Sequence, residues 1–231
     1  MRCIGVAAAV LLLPFQAAVA DMSWYLGAGG GLTVLRTSDF ASASGLNSGL
    51  GTGDRAGSNE FNDSPFGWQV YGGAMFTENF GLVLKYSDSG KGKDRWNGFT
   101  EIDPDGPDDM VMCCPEPSVT TNYDFVGEMQ MDGFTIYAIQ TVPLGDKFAY
   151  GIEVGWTKQD IEFTWDSTSN PSTPNSGIVK TDASGFAFGA LMRYQFLKHV
   201  AVSTEFEWLL IDFGDLIDRP IKLSVNLEVH F

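Results

Sequence analysis

The sequence is short of positive charge. Against 29 Asp and Glu stand 14 Lys and Arg and two His, a formal net charge of -15. Nucleic-acid binding releases counterions through a basic surface, so this balance excludes a nucleic-acid binder as the default reading. Long apolar runs are also missing. After the first twenty residues nothing approaches the ~18 consecutive apolar residues of a transmembrane helix. A chain of this kind enters a membrane as strands or not at all.

The hydrophobic share of 44% and aromatic share of 13% describe a folded chain. Glycine is plentiful, 27 of 231 residues, which suits strands, turns and close packing better than long helices. The start carries an address. Met1-Arg2-Cys3 is short and positive, Ile4 to Phe15 is almost wholly apolar, and Ala18-Val19-Ala20 ends in a small-x-small pattern. This reads as a secretory signal over residues 1–20, cleaved before Asp21. The remaining 211 residues lose Arg2, and the charge becomes -16.

Period-two alternation dominates the rest. At the C-terminus Ile221, Leu223, Val225, Leu227, Val229 and Phe231 share one face, and Lys222, Ser224, Asn226, Glu228 and His230 the other. A helix mixes these sets around its circumference, whereas a strand separates them. Seven further runs begin at Trp24, Trp68, Phe80, Phe134, Phe148, Phe186 and Val200. The run at Phe134 is less clear, because Tyr137 and Ile139 make its second face apolar too. Three connections are about three residues long, at Thr77–Asn79, Leu144–Asp146 and Leu197–His199, as tight hairpins require. Four are longer: Arg36 to Pro65, Gly90 to Glu128, Thr164 to Lys180 and Phe213 to Pro220. The expected fold is all-β: an eight-stranded antiparallel up-and-down barrel over residues 21–231 with four long extracellular loops.

A lipocalin-like soluble barrel and a membrane barrel share this period and differ in which face carries charge. Opposite the large apolar sets lie Lys85, Glu153, Arg193, Glu205, Glu207, Lys222 and Glu228, three positive and four negative. An eight-stranded barrel is just wide enough for side chains inside. Enclosed charges survive there when paired or hydrogen-bonded, and neighbouring small residues such as Gly151, Gly155 and Gly189 leave room for long ones. Register counting pairs Arg193 with Glu205 and Lys222 with Glu207. The aromatics favour the membrane reading. Trp156 lies eight residues beyond Phe148, and Trp68 eight before Phe76. Eight residues rise about 26 Å, or roughly 20 Å along the normal at a ~40° tilt, close to the ~25 Å apolar band between aromatic girdles.

The terminal segment Leu223–Phe231 and the hairpin Met192–Trp208 resemble the OmpA-like family of eight-stranded bacterial outer-membrane barrels. The resemblance implies an outer-membrane location, lipid and lipopolysaccharide as surroundings, and Phe231 as the signal read by the barrel assembly machinery. It is specific for architecture and weak for activity; no C-terminal peptidoglycan-binding domain is expected, so the wall-tethering role of larger relatives is not carried over.

Chemistry is sparse. The two histidines, His199 in a short turn and His230 near the C-terminus, both fall at the periplasmic end, so no His-based enzyme is expected at the outer rim. No cofactor is expected. Asp103, Asp105, Asp108 and Asp109 crowd one loop, where they form a solvated acidic loop or a Ca²⁺/Mg²⁺ site facing lipopolysaccharide phosphates. Cys113 and Cys114 are adjacent. A vicinal disulfide is the structural default, with a soft-metal thiol pair or interchain cross-links as alternatives. The sequence therefore reads as a non-enzymatic outer-membrane barrel serving envelope integrity and displaying acidic loops. A narrow channel is the competing class, and a soluble periplasmic barrel binding an apolar ligand the third.

Overall fold

The computed structural model describes residues 22–36, 55–58, 62–102, 119–167, 176–213, 217 and 219–231. The signal segment, Asp103, Asp105, Asp108, Asp109, Cys113 and Cys114 lie outside the described residues. Ten strands follow in chain order: β1 (Ser23–Arg36), β2 (Arg55–Ser58), β3 (Asn62–Asp63), β4 (Phe66–Met75), β5 (Phe80–Ile102), β6 (Val119–Leu144), β7 (Phe148–Ser167), β8 (Gly177–Leu197), β9 (Val200–Leu210) and β10 (Ile221–His230). Eight of them form a closed antiparallel barrel, β1-β4-β5-β6-β7-β8-β9-β10, in which β10 returns to β1 from Tyr25↔His230 to Val34↔Ile221. The short β2 and β3 add to β5 and β1 at the long-loop end. Closure leaves no free edge through the membrane, so every spanning backbone group has a neighbour.

The apolar faces point outward. Trp24, Leu26, Trp68, Leu84, Ile136, Ile152, Trp156, Phe186, Trp208, Leu223, Val225 and Leu227 are all exposed on the barrel surface. Tyr25, Lys85, Thr135, Glu153, Glu205, Glu207, Lys222, Asn226 and Glu228 are enclosed. Tyr137 and Ile139, ambiguous in sequence, both turn inward.

Two of the long connections are shorter than the sequence suggested. The segment read as a loop from Gly90 to Glu128 continues as paired strands to Ile102 and again from Val119, and β7 runs on to Ser167 before β8 starts at Gly177. The 26 residues of β6 rise about 85 Å, far more than a ~25 Å apolar band needs. The extra length is folded by different rules. On β6 the outward residues change from Ile136 and Phe134 to Asp132, Gln130 and Glu128, while the inward set becomes Met131, Met129 and Phe125, all nearly inaccessible. On β7 the outward set changes from Val154 and Trp156 to Lys158, Asp160 and Glu162, and Ile161 and Phe163 turn inward. Apolar residues thus change faces just beyond Phe134 and Trp156. On one side of this line the barrel is inside-out for lipid; on the other it is an ordinary water-facing barrel with an apolar core, joined by Leu35, Phe213 and Ile217.

On β5 a bulge makes the same transition. The register with β6 shifts between Asp88 and Lys91, so outward residues change from even to odd numbers. Gly90 sits there at φ +70°, a left-handed conformation that glycine adopts without strain, and its N–H donates to Asp88 Oδ1 at 2.7 Å. At the other end β6 turns into β7 through Gly145 at φ +79°.

Candidate functional site: the enclosed charge layer

Lys85 is the centre of the lumen. It reaches across from β5 to β9, where it donates to Glu205 Oε1 and, at 2.7 Å, to Glu207 Oε1. Glu153 Oε2 on β7 lies 3.9 Å away, and the rings of Tyr137 and Tyr71 stand 4.9 and 5.6 Å from the ammonium. Lys85, Glu153, Glu205 and Glu207 are each at most 4% exposed. Taking four charges out of water costs far more than any one pair returns, so the layer depends on its full set of hydrogen bonds. Gln69 Nε2 donates to Glu205 Oε2 at 3.0 Å, and Tyr137 Oη to Glu207 Oε1 at 2.7 Å. Across the sheet Glu153, Gly189, Glu207 and Lys222 are consecutive neighbours in one row. A glycine between two glutamates gives both side chains room to turn toward Lys85.

Two pairings expected from register are corrected. Arg193 does not meet Glu205. Its Nε lies 2.6 Å from Glu228 Oε2 and its guanidinium 5.1 Å from the Tyr25 ring, because Glu205 is taken by Lys85. Lys222 is beside Glu207 in register, yet its ammonium donates to Ser87 Oγ at 2.5 Å and makes no ion pair among the described residues. Glu228 gathers a second group near the short-turn end. It accepts Tyr71 Oη at 3.0 Å and lies 3.1 Å from His230 Nε2, whose ring stacks on Tyr25. Sequence reasoning missed Gln69, Tyr71 and Tyr137. Their alternation placed them inside, but only a partner makes an enclosed polar residue functional.

Beyond the charge layer the lumen continues into the apolar core of Met129, Met131, Ile161 and Phe163. The lumen is therefore filled at both levels. A water-sized niche of about 10 Å³ lies between Thr33, Gln69, Ser87 and Lys222. Phe231 is largely exposed on the lipid face, with its N–H donating to Trp24 O at 2.8 Å.

A charged collar spans β5 to β8 beyond the aromatic line. Lys180 pairs with Glu162 at 2.8 Å and Lys158 with Asp182 at 3.3 Å, while Glu128 takes Lys93 and, at 3.6 Å, Lys91. The Lys93 hydrogen bond, with the charges of both lysines, holds the Glu128 carboxyl below the usual carboxylate range. Asp88, Asp132, Asp160 and Asp182 stand in one lateral row across β5 to β8.

No curated protein matches the sequence. Solved structures do. The crystal structure of Ail, the attachment invasion locus protein of Yersinia pestis, is similar with TM-score 0.50 at 9% identity, covering 92% of this chain and 100% of that one. Neisserial surface protein A follows with TM-score 0.45 at 12% identity, covering 90% and 97%. The N-terminal barrel of Pseudomonas aeruginosa OprF gives TM-score 0.42 at 12% identity, covering 91% and 98%. At such identities the likeness is one of fold. With an outward apolar belt, an enclosed charge layer and a match over residues 5–231, the chain belongs to the outer membrane protein beta-barrel domain family and resides in the cell outer membrane.

Proposed function

We propose that this protein is a closed, non-enzymatic surface barrel that supports envelope integrity and presents its long-loop end outward as an interaction surface. The filled lumen carries this reading. A solute crossing the barrel must break the Lys85 ion pairs and displace the apolar layer of Met129, Met131 and Phe163. Both histidines stand at the short-turn end, which supports a surface without His-based chemistry. Strands β5 to β8 continue well past the lipid line and carry the charged collar with them. Phe231, at the last lipid-facing position, is the residue offered to the assembly machinery.

Charge narrows the partner. Ail has been crystallised with a heparin analogue, sucrose octasulfate, which is a polyanion. A chain of net charge -15 repels such ligands, so the partners of this surface are uncharged or cationic, or reach it through bridging cations. Lipopolysaccharide surrounds the collar, with Lys91, Lys93, Lys158 and Lys180 the groups offered to its phosphates.

Planar-bilayer recording tests the closed barrel against the channel reading. The expected record is flat at physiological salt. Steady single-channel steps of wild-type protein overturn the proposal. Excision of residues 103–118 tests the display role: cell-surface attachment falls while detergent resistance of the envelope is kept. Unchanged attachment removes the loop from the account.

A further inference from the structure

Arg193 and Glu228 neutralise each other, which leaves Lys85 and Lys222 facing Glu153, Glu205 and Glu207. Two positive charges against three negative ones leave one negative charge over, in a lumen packed with protein. Hydrogen bonding identifies the carboxylate that carries it. Glu205 accepts Lys85 on one oxygen and Gln69 on the other. Glu207 accepts Lys85 and Tyr137. Glu153 Oε2 accepts no N–H or hydroxyl donor among the described residues and faces the Glu205 carboxyl. It is buried in a residue only 4% exposed, and its nearest cation, Lys85 Nζ, is 3.9 Å away. An ionised carboxylate left so exposed to a low dielectric lacks a positive neighbour.

The surroundings could hold one. Glu153, Glu205 and Glu207 each offer an oxygen within 4.8 Å of the others. Gly189 gives the Glu153 carboxylate its place, because a Cβ there would stand 2.7 Å from Glu153 Oε2. We propose that the barrel lumen binds one monovalent metal cation of about sodium size, with Glu153 as its principal ligand and Glu205 or Glu207 as the second. A single positive charge completes neutrality. A divalent ion overshoots it, and Ca²⁺ asks for six to eight oxygens where three of the six glutamate oxygens are committed to Lys85, Gln69 and Tyr137. Water supplies no charge.

The test uses the folded barrel in detergent micelles, with sodium chloride replacing choline chloride at constant ionic strength and pH. The thermal midpoint rises saturably by roughly 3 °C with sodium. Glu153→Gln removes the sodium dependence. A wild-type midpoint equal in the two salts overturns the proposal, as does one raised by acidification alone, which identifies a proton as the occupant. Sodium dependence that survives in E153Q places the ion elsewhere and overturns the assignment. Should E153Q fail to fold, the ²³Na linewidth of wild-type samples decides. Broadening that the barrel adds and excess potassium relieves supports the site, and an unchanged linewidth refutes it.

Discussion

Replacing Lys85 by Met removes the one cation that three glutamates share while keeping the length of the side chain. Two charge-assisted hydrogen bonds disappear, to Glu205 and Glu207, and the long pairing with Glu153 goes with them. Each such bond is worth about 1.5–3 kcal/mol, and breaking a buried pair from one side costs about 3–5 kcal/mol, because the orphaned charge stays buried. Three orphaned carboxylates, all at most 4% exposed, put Lys85→Met at the upper end, near ~5 kcal/mol. In a chain of this length that is a fall in thermal midpoint of roughly 10–20 °C. The collar provides the control. Lys180 pairs with Glu162 at 2.8 Å, but their side chains are 67% and 50% exposed. Lys180→Ala therefore costs less than ~1 kcal/mol. Urea unfolding of both variants in micelles, followed by tryptophan fluorescence, gives the two values side by side. Equal costs, or a Lys85→Met variant within ~1 kcal/mol of wild type, would refute the idea that the enclosed layer is held by its central ammonium.

Other consequences follow from the same geometry. Adding Glu205→Gln to Lys85→Met recovers part of the lost stability, since it removes one of the stranded charges; a double variant weaker than the single one contradicts this. Asp160 stands between Asp132 and Asp182 in its row, and like charges directly opposite repel, so Asp160→Asn raises the midpoint slightly, most at low salt. The lowered carboxyl of Glu128 stabilises the β5–β6 hairpin above the ordinary carboxylate range, and that contribution disappears as pH falls through its depressed folded value. Amide protection in this hairpin, taken relative to the intrinsic exchange rate at each pH, falls in acid, and Glu128→Gln flattens the response. Deleting Phe231 lowers the fraction of protein assembled in the outer membrane without changing its synthesis, as read from heat-modifiable gel migration.

The lipid-facing half of the structure was legible because water and hydrocarbon select residues by simple alternation. Leu223, Val225 and Leu227 needed no partner to reveal their direction. The pairing of charges was not legible. A long side chain crosses the lumen, so Lys85 on β5 finds carboxylates on β9, and no local register predicts that contact. Once Glu205 is occupied, Arg193 takes Glu228 from β10 instead. The strand extensions were missed for another reason. The Gly, Ser, Asn, Asp and Pro content of the segments Gly90 to Glu128 and Thr164 to Lys180 suggested loops, yet Phe125, Met129 and Met131 alternate, as do Ile161, Phe163 and Trp165. The signal was a period-two pattern whose apolar face had changed sides, which marks where the chain leaves lipid for water.

That arrangement can be read residue by residue with spin labels placed singly from Ile221 to His230, in protein whose Cys113 and Cys114 are replaced by serine and reconstituted in lipid. Oxygen collision rates should alternate, high at Leu223, Val225, Leu227 and Val229 and low at Lys222, Ser224, Asn226 and Glu228. Rates that are uniform along the strand, or high at the second set, would contradict a barrel with hydrocarbon outside and charge within.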